Sequence, residues 1–419
     1  MSEPASREVL RPAPKGFKAW LGRRMMGLMP LGFRLLRRWK PIFKFGSNYV
    51  ATRHDDVREV FATDTAFAVP YREKLDIITG GQPFFLGMGD TPDYHRGLAA
   101  MQRVVRPDDL AALAQGAEAR ADALIKTGSG SIEVVGLVRD VTFGLLGDYF
   151  GVPEPTDGDL QVWATRLFEF QFADPGGSAE LRAEVDAIAP AMRAHVQSEI
   201  ERRRAAGGGG GRWGDGGKDD VMARCLALQS AGEPGYSDDE IRTGLVCMIV
   251  GGPPQPPMVV PQAMEQLLRR PEALAGARTA ARDGDETLLR GHVWEAMRFD
   301  PLAPGLPRTA IMPWTIARGT SRAREIPAGA TVLAAFASAM MDERRVPDPR
   351  RFNPRRSVHE YLHFGYRLHE CFGRHINHAT LHRMLKPLLE RDGLRRARGR
   401  DGRLSKNGAF AERLVVEYR

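Results

Sequence analysis

Cys371 sits in the stretch of this 419-residue chain where residue types and spacing converge most clearly on a chemistry. Residues 363–383 read HFGYRLHECFGRHINHATLHR. Gly365 and Gly373 flank the cysteine, and His369 precedes it by two. The residues after Gly373 have helical spacing. A thiol just ahead of a helix N-terminus is favoured as thiolate by the helix dipole and the free N–H groups. Glycines let backbone approach a bulky ligand. Those are the requirements of a metal-binding thiolate, and two metals meet them. With His375, His378 and His382, the last two at i, i+4 on one helix face, Cys371 would make a zinc site. Alone, it would be the single axial thiolate of a haem iron.

The elements around this loop read as mainly α-helical with a small β-sheet component. Helical periodicity covers 107–126, 179–204, 219–231, 237–250, 259–270 and 285–298, several with Asp, Ser or Thr near the start. Strand patterns are short, at 48–53 and 330–336. The glycine-dense run at 205–217 reads as a flexible loop. The composition, 43% hydrophobic and 27% charged, is that of a globular protein and excludes a mostly disordered or fibrous chain. Three cysteines, Cys225, Cys247 and Cys371, cannot frame a disulfide scaffold of this size, which places the chain in a reducing, cytoplasmic compartment.

Charge is concentrated at one end. Residues 1–54 hold twelve lysines and arginines against two acids, Glu3 and Glu8, while the whole chain nets only +8. A nucleic-acid binder would have a basic body, so that partner is excluded. Residues 1–44 read as a basic amphipathic extension ahead of a single domain at 45–419. Within 15–44 no uncharged run is long enough to span a membrane, and charges interrupt every apolar run of a would-be signal peptide. Two uses remain for its apolar face: packing on the body, or peripheral contact with an anionic membrane.

The order of motifs resembles the cytochrome P450 family. Phe364-Gly365-x-x-x-His369-x-Cys371-x-Gly373 is similar to that family's haem loop, with Arg367 where the family has a second glycine. Glu295-x-x-Arg298 lies 73 residues earlier, measured from Arg298, and Arg308 follows ten residues after it. The stretches 326–333 and 342–356 then follow in family order. The resemblance implies a P450 fold with haem b (iron protoporphyrin IX) as cofactor and Cys371 as ligand to the iron. It implies that His369, Arg308 and His95 hold the haem propionates. It also implies that Glu295 and Arg298 form a buried ion pair, completed by a later loop residue. The family's second propionate arginine falls on Ala99, so only His95 carries over there. Arg96 and Arg103 are the nearby substitutes.

The distal helix departs from the family. Gly251 and Gly252 match its small-residue pair, but Pro254 stands for the acid and Gln255 for the alcohol that deliver protons. Neither relays a proton as a carboxyl and a hydroxyl do. Four prolines at 253, 254, 256 and 257 should break the helix, since an interior proline costs about 3 kcal/mol. A preformed peroxide needs neither electrons nor protons from outside, and the Gln255 amide could donate to its oxygen. The expected activity is therefore oxidation by peroxide, or rearrangement of a hydroperoxide. Two alternatives are a dioxygen-dependent monooxygenase and a non-catalytic haem protein. Family position places Phe84, Phe85, Met248 and Leu306 around an apolar substrate. Arg72, with Lys74, is placed to meet a fatty-acid carboxylate. Arg367, Arg374, Arg383 and Lys386 form a basic face on which a ferredoxin or flavodoxin would dock.

Overall fold

The computed structural model describes residues 9–13, 16–206 and 219–419. From 207 onward, the loop expected at 205–217 lies outside the described residues. Helix α1 (Phe17–Trp39) leads into a hairpin of β1 (Ile42–Phe45) and β2 (Asn48–Ala51), then α2 (His54–Ala62), β3 (Phe67–Ala68) and α3 (Arg72–Thr79). The helical body comprises α4 (Pro92–Val104), α5 (Leu110–Thr127), β4 (Ser131–Glu133), α6 (Val134–Phe150), α7 (Leu160–Phe168), α8 (Ala179–Ala205), α9 (Val221–Ser230), α10 (Asp238–Gly251), α11 (Pro256–Leu268), α12 (Pro271–Arg282) and α13 (Glu286–Phe299). Next come β5 (Leu306–Ala310), β6 (Trp314–Ile316), β7 (Arg324–Ile326), β8 (Thr331–Ala334), the one-turn α14 (Phe336–Ala339) and, after the cysteine loop, α15 (Arg374–Glu390).

Local chemistry sets the helix starts. Ser178, Asp220, Ser237 and Asp285 accept hydrogen bonds from the backbone N–H groups of Leu181, Ala223, Glu240 and Leu288. Each removes an orphan donor from a first turn. Helix α11 starts earlier than its periodicity suggests. Pro256 and Pro257 occupy its first two positions, where a missing N–H costs nothing.

Five strands pair in the order β1-β2-β8-β5-β3. Only β2 and β8 run parallel, with Tyr49 opposite Val332. Val57, Phe61, Phe67 and Val332 make a separate small core between this sheet, α2 and α14. The larger core lies among the helices, where α15 packs along α5, and α11 packs against α6 and α13. The expected fold class, mainly helical with a small sheet component, is the observed one. Helix α1 buries Phe33, while Leu21, Met25, Leu28, Leu31, Leu35 and Trp39 along it are exposed. Among the described residues no helix is long and apolar enough to cross a membrane.

His292 on α13 is buried and stacks on Phe352 at 5.8 Å. Burial, aided by the charge of Arg355, pushes its pKa down to about 4. Below its ordinary value near 6.5 the unfolded chain binds a proton that the folded chain refuses, so stability is lost as the pH is lowered from about 6.5 toward about 4. His292→Phe should remove up to about 3 kcal/mol of this acid loss, from roughly 1.4 kcal/mol per pKa unit. In thermal melts at pH 7.5 and pH 5, the variant should lose less on acidification than the parent.

Candidate functional site

Trp294 on α13 pins the cysteine loop. Its ring contacts those of Phe364 and His378 at 5.5 and 5.1 Å, and its carbonyl oxygen lies 3.2 Å from a His363 ring nitrogen. Gly365 turns the loop at φ +80, where a Cβ would stand 3.3 Å from the His369 carbonyl oxygen. Arg367 itself adopts φ +63. An arginine thus keeps the turn for which the family uses glycine, at a conformational cost of roughly 1–2 kcal/mol. The Cys371 N–H donates to the Phe364 carbonyl at 2.8 Å, and α15 begins three residues later.

Cys371 is half-buried, whereas Cys225 and Cys247 are buried in helix packing. Burial pushes the Cys371 thiol up to about 11; the Gly373 N–H acts against this and Glu370 adds to it. The helix terminus therefore does not make a thiolate by itself, contrary to the expectation from sequence. A coordinated cation would, because its charge dominates the local field. The zinc alternative is also corrected. His382 hydrogen-bonds Glu286 at 3.1 Å, His378 packs on Trp294, and His375 is exposed. Among the described residues no three His, Cys, Asp or Glu converge on a metal position.

Arg308 on β5 is only 2% exposed. Its Nε has no partner, and Nη1 reaches only the neighbouring Pro307 carbonyl at 3.0 Å. The Phe61 ring lies 5.0 Å away. Burial lowers its pKa. An unpaired guanidinium held this deep is costly unless an anion completes it. His369 is equally enclosed, with Nδ1 unpartnered and Nε2 3.7 Å from Asp64. Burial, with Arg308 adding, pushes His369 down to about 4, so it is neutral. Gly251, half-buried on α10, has no atom within 4 Å of where a Cβ would stand. A half-buried thiol, an unpaired buried arginine and open space at a helix glycine fit a haem carrying two carboxylates.

His95 does not join this set. It is 61% exposed and pairs with Asp90 at 2.7 Å. Tyr94 points inward instead, donating to the Leu368 carbonyl with its ring 6.3 Å from that of His369. The inner face of α4 is thus Tyr94, Leu98 and Met101, one residue out of step with the expected His95 and Ala99. Arg96 and Arg103 are spoken for by Asp93 and Glu233, both at 2.8 Å, and do not substitute.

The Glu295–Arg298 pair is fully enclosed, at 2.7 Å with neither side chain exposed. The later loop residue is Arg356, whose Nε lies 3.2 Å from Glu295. The Asn353 N–H and Tyr361 hydroxyl donate to the same carboxylate at 3.0 and 3.1 Å. Burial opposes ionisation of Glu295, but Arg298, Asn353 and Arg356 outweigh it and hold its pKa below the usual range.

Above the open space α10 stops at Gly251 and α11 starts at Pro256. The predicted break is present. Pro253 and Pro254 are buried, while Gly251, Gly252 and Gln255 are half-buried. The Gln255 amide folds back to donate to the Gly251 carbonyl. One N–H of its two is thereby used, leaving the second and the carbonyl oxygen.

The expected substrate residues divide. Met248 is buried on α10 and Leu306 half-buried on β5. Phe84 and Phe85 belong to the core, with the Phe85 ring edge-on to that of Phe372, beside Cys371, at 5.6 Å. Arg72 is exposed and faces Asp76 at 3.7 Å, and Lys74 is tied to the Phe170 and Asp174 carbonyls at 2.8 and 2.7 Å. Neither is placed as a carboxylate anchor. Sequence reading missed Tyr71, whose ring packs on Phe172 at 5.2 Å and whose hydroxyl donates to the Leu86 carbonyl at 3.2 Å. Burial raises its pKa, and the charges of Arg308 and Cys371 both reach it. The expected basic docking face is largely compensated. Arg374 pairs with Glu370 at 2.6 Å, and Arg383 and Lys386 pair with Glu118 and Glu286.

The cytochrome P450 family model matches residues 218–392 of the chain, and the fold is that of solved cytochrome P450 structures. It is 27% identical over 272 residues to cytochrome P450 monooxygenase PikC of Streptomyces venezuelae, covering 64% of this chain and 58% of that one. It is 36% identical over 140 residues to a bifunctional dioxygenase–epoxy alcohol synthase of Fusarium oxysporum, covering 33% of this chain and 11% of that one. The chain thus spans less than two thirds of either relative. The crystal structure of P450BioI in complex with an acyl carrier protein ligated to hexadec-9Z-enoic acid superposes with a TM-score of 0.79 at 18% identity, covering 94% and 99% of the two chains. At that identity the likeness speaks for the fold. The cofactor of this fold and family is haem b, held through a cysteine thiolate.

Arg356→Ala leaves the buried Glu295 carboxylate half-compensated and should cost roughly 3–5 kcal/mol, as broken buried pairs do. Tyr361→Phe removes one neutral donor and should cost about 1 kcal/mol. Urea unfolding of the two variants beside the parent should show that ranking.

Proposed function

We propose that the protein is a haem-thiolate oxidoreductase that draws oxygen from a preformed organic hydroperoxide of an apolar, fatty-acid-like substrate, in the cytoplasm. The observation that carries this reading is the interrupted distal helix, with proline and glutamine where protons would be relayed. Bound haem supplies iron-centred cleavage of an O–O bond, with the thiolate donating electron density. In this reading Cys371 provides that thiolate, Arg308 and His369 hold the propionates, and Tyr94 stands beside them in place of His95. The half-buried Gly251 leaves room for the peroxide, whereas Gly252 faces Leu146 and Phe150 of α6. Gln255 directs its remaining N–H to a peroxide oxygen while its other N–H stays on the Gly251 carbonyl. Met248, Leu306, Tyr71 and Phe172 supply the apolar surroundings.

Two further observations support the reading. The basic residues near Cys371 are mostly neutralised by carboxylates, which weakens the steering a ferredoxin or flavodoxin would use. The fungal relative's name pairs a dioxygenase with an epoxy alcohol synthase. The similarity to PikC favours a second reading, dioxygen-dependent monooxygenation fed by a separate electron donor.

Haem-loaded ferric protein should consume a fatty-acid hydroperoxide without reductant and give a rearranged or oxygenated product. Gln255→Ala should slow that reaction roughly tenfold or more, the scale of losing one preorganised donor, while leaving the ferrous–CO thiolate spectrum intact. Turnover seen only with ferredoxin, its reductase and dioxygen would establish the second reading. Loss of the thiolate spectrum in Cys371→Ser is the control for the ligand.

A further inference from the structure

Helix α1 presents an apolar face to solvent. Leu21, Met25, Leu28, Leu31, Leu35 and Trp39 are 43% to 73% exposed. At 100° per residue these six fall within about 120° of one side of the helix, so they form one stripe. The opposite side makes the attachment only in the C-terminal part of the helix, since Met26 on that side is 53% exposed as well. Phe33 is buried, and Arg37 donates to the carbonyl and hydroxyl oxygens of Ser338 at 3.0 and 2.8 Å. Arg53 in turn donates to the Arg37 carbonyl at 3.2 Å. The orientation is therefore set by specific contacts, and it turns the stripe away from the protein. On β1, the strand α1 runs into, Phe45 is 72% exposed as well.

A single exposed leucine is ordinary, but a continuous stripe along a helix of 23 residues marks an interaction surface. The helix is also intrinsically weak. It contains Pro30, and Gly22, Gly27 and Gly32, none of which meets a neighbour within 4 Å.

Charge decides what covers the stripe. No acid occurs between Glu8 and Asp55, whereas Arg34, Arg38, Lys40 and Lys44 lie on or next to the helix. Arg34 and Arg38 are exposed and border the stripe on one side. A second copy of this face would bring like charges together. An anionic bilayer would take the apolar side chains between its headgroups and the arginines onto its phosphates. The exposed Trp39 is a residue type suited to that boundary.

We propose that α1 is an in-plane docking helix that seats the protein on anionic membrane surfaces without spanning them. This is independent of the oxidant used by the haem site.

The test uses full-length haem-loaded protein and two vesicle types, pure phosphatidylcholine and a phosphatidylcholine–phosphatidylglycerol mixture. The protein should co-sediment with the anionic vesicles and be released by high salt. Replacing Leu28 and Leu35 together by Glu, or Arg34 and Arg38 together by Glu, should weaken binding roughly tenfold or more. The ferrous–CO thiolate spectrum of each variant checks that the body is folded. Equal partition to neutral and anionic vesicles, or none to either, would overturn the proposal for the parent protein alone. So would a lipid-free dimer, seen by light scattering, that the Leu28 and Leu35 replacements dissolve, because a second copy would then cover the stripe.

Discussion

Much of the site hangs on the Glu295 carboxylate. It has no access to water, so its charge exists only because Arg298, Arg356, the Tyr361 hydroxyl and the Asn353 N–H surround it. Those partners come from α13 and from the long loop after α14. Arg298 also donates to the Met340 carbonyl at 3.0 Å, which ties in the end of α14. Trp294, one residue before Glu295, grips the cysteine loop by Phe364 and His378. The placement of Cys371 is thus referred back to one buried carboxylate. Such a cluster adds little net stability against an apolar replacement, but it penalises every arrangement that leaves one member unpaired.

A second constraint sits beyond the loop, where the protein keeps charge without a partner. Arg308 is as enclosed as Glu295, yet only a ring and a neighbouring carbonyl meet it. The Glu295 charge is answered within the protein; that of Arg308 is left, in the proposed function, for a haem propionate. The contrast separates the scaffold from the binding site more clearly than burial does.

Reading the sequence found the features that depend on local chemistry. Helix starts were legible because their capping residues act within three positions. Cys371, Glu295, Arg298 and Arg308 were legible because their order and spacing resemble a family. Side-chain direction was less legible. One position on a helix is a 100° rotation, so choosing His95 over Tyr94 moved a site residue from the interior to solvent. Arg72 read as an anchor because its type was right, but its side chain meets Asp76 on its own helix. The apolar face of α1 could be drawn from sequence, yet which side it turned to the body depended on Phe33, Arg37 and a hydroxyl 301 residues away. Arg356 and Tyr361 were invisible individually, since nothing local marks a residue whose partner lies about sixty positions earlier.

The gap between α10 and α11 is a property of backbone, and that makes it hard to reverse. Exchanging Pro254 for an acid and Gln255 for an alcohol would restore the side chains of a proton relay but not their positions. Pro253, Pro256 and Pro257 would still deny the segment its helical hydrogen bonds, and the new groups would hang from an irregular turn. A return to helical geometry needs several simultaneous exchanges, with no benefit from the first few. The chemistry of this pocket is therefore insulated from single substitutions by the shape of the chain beneath it.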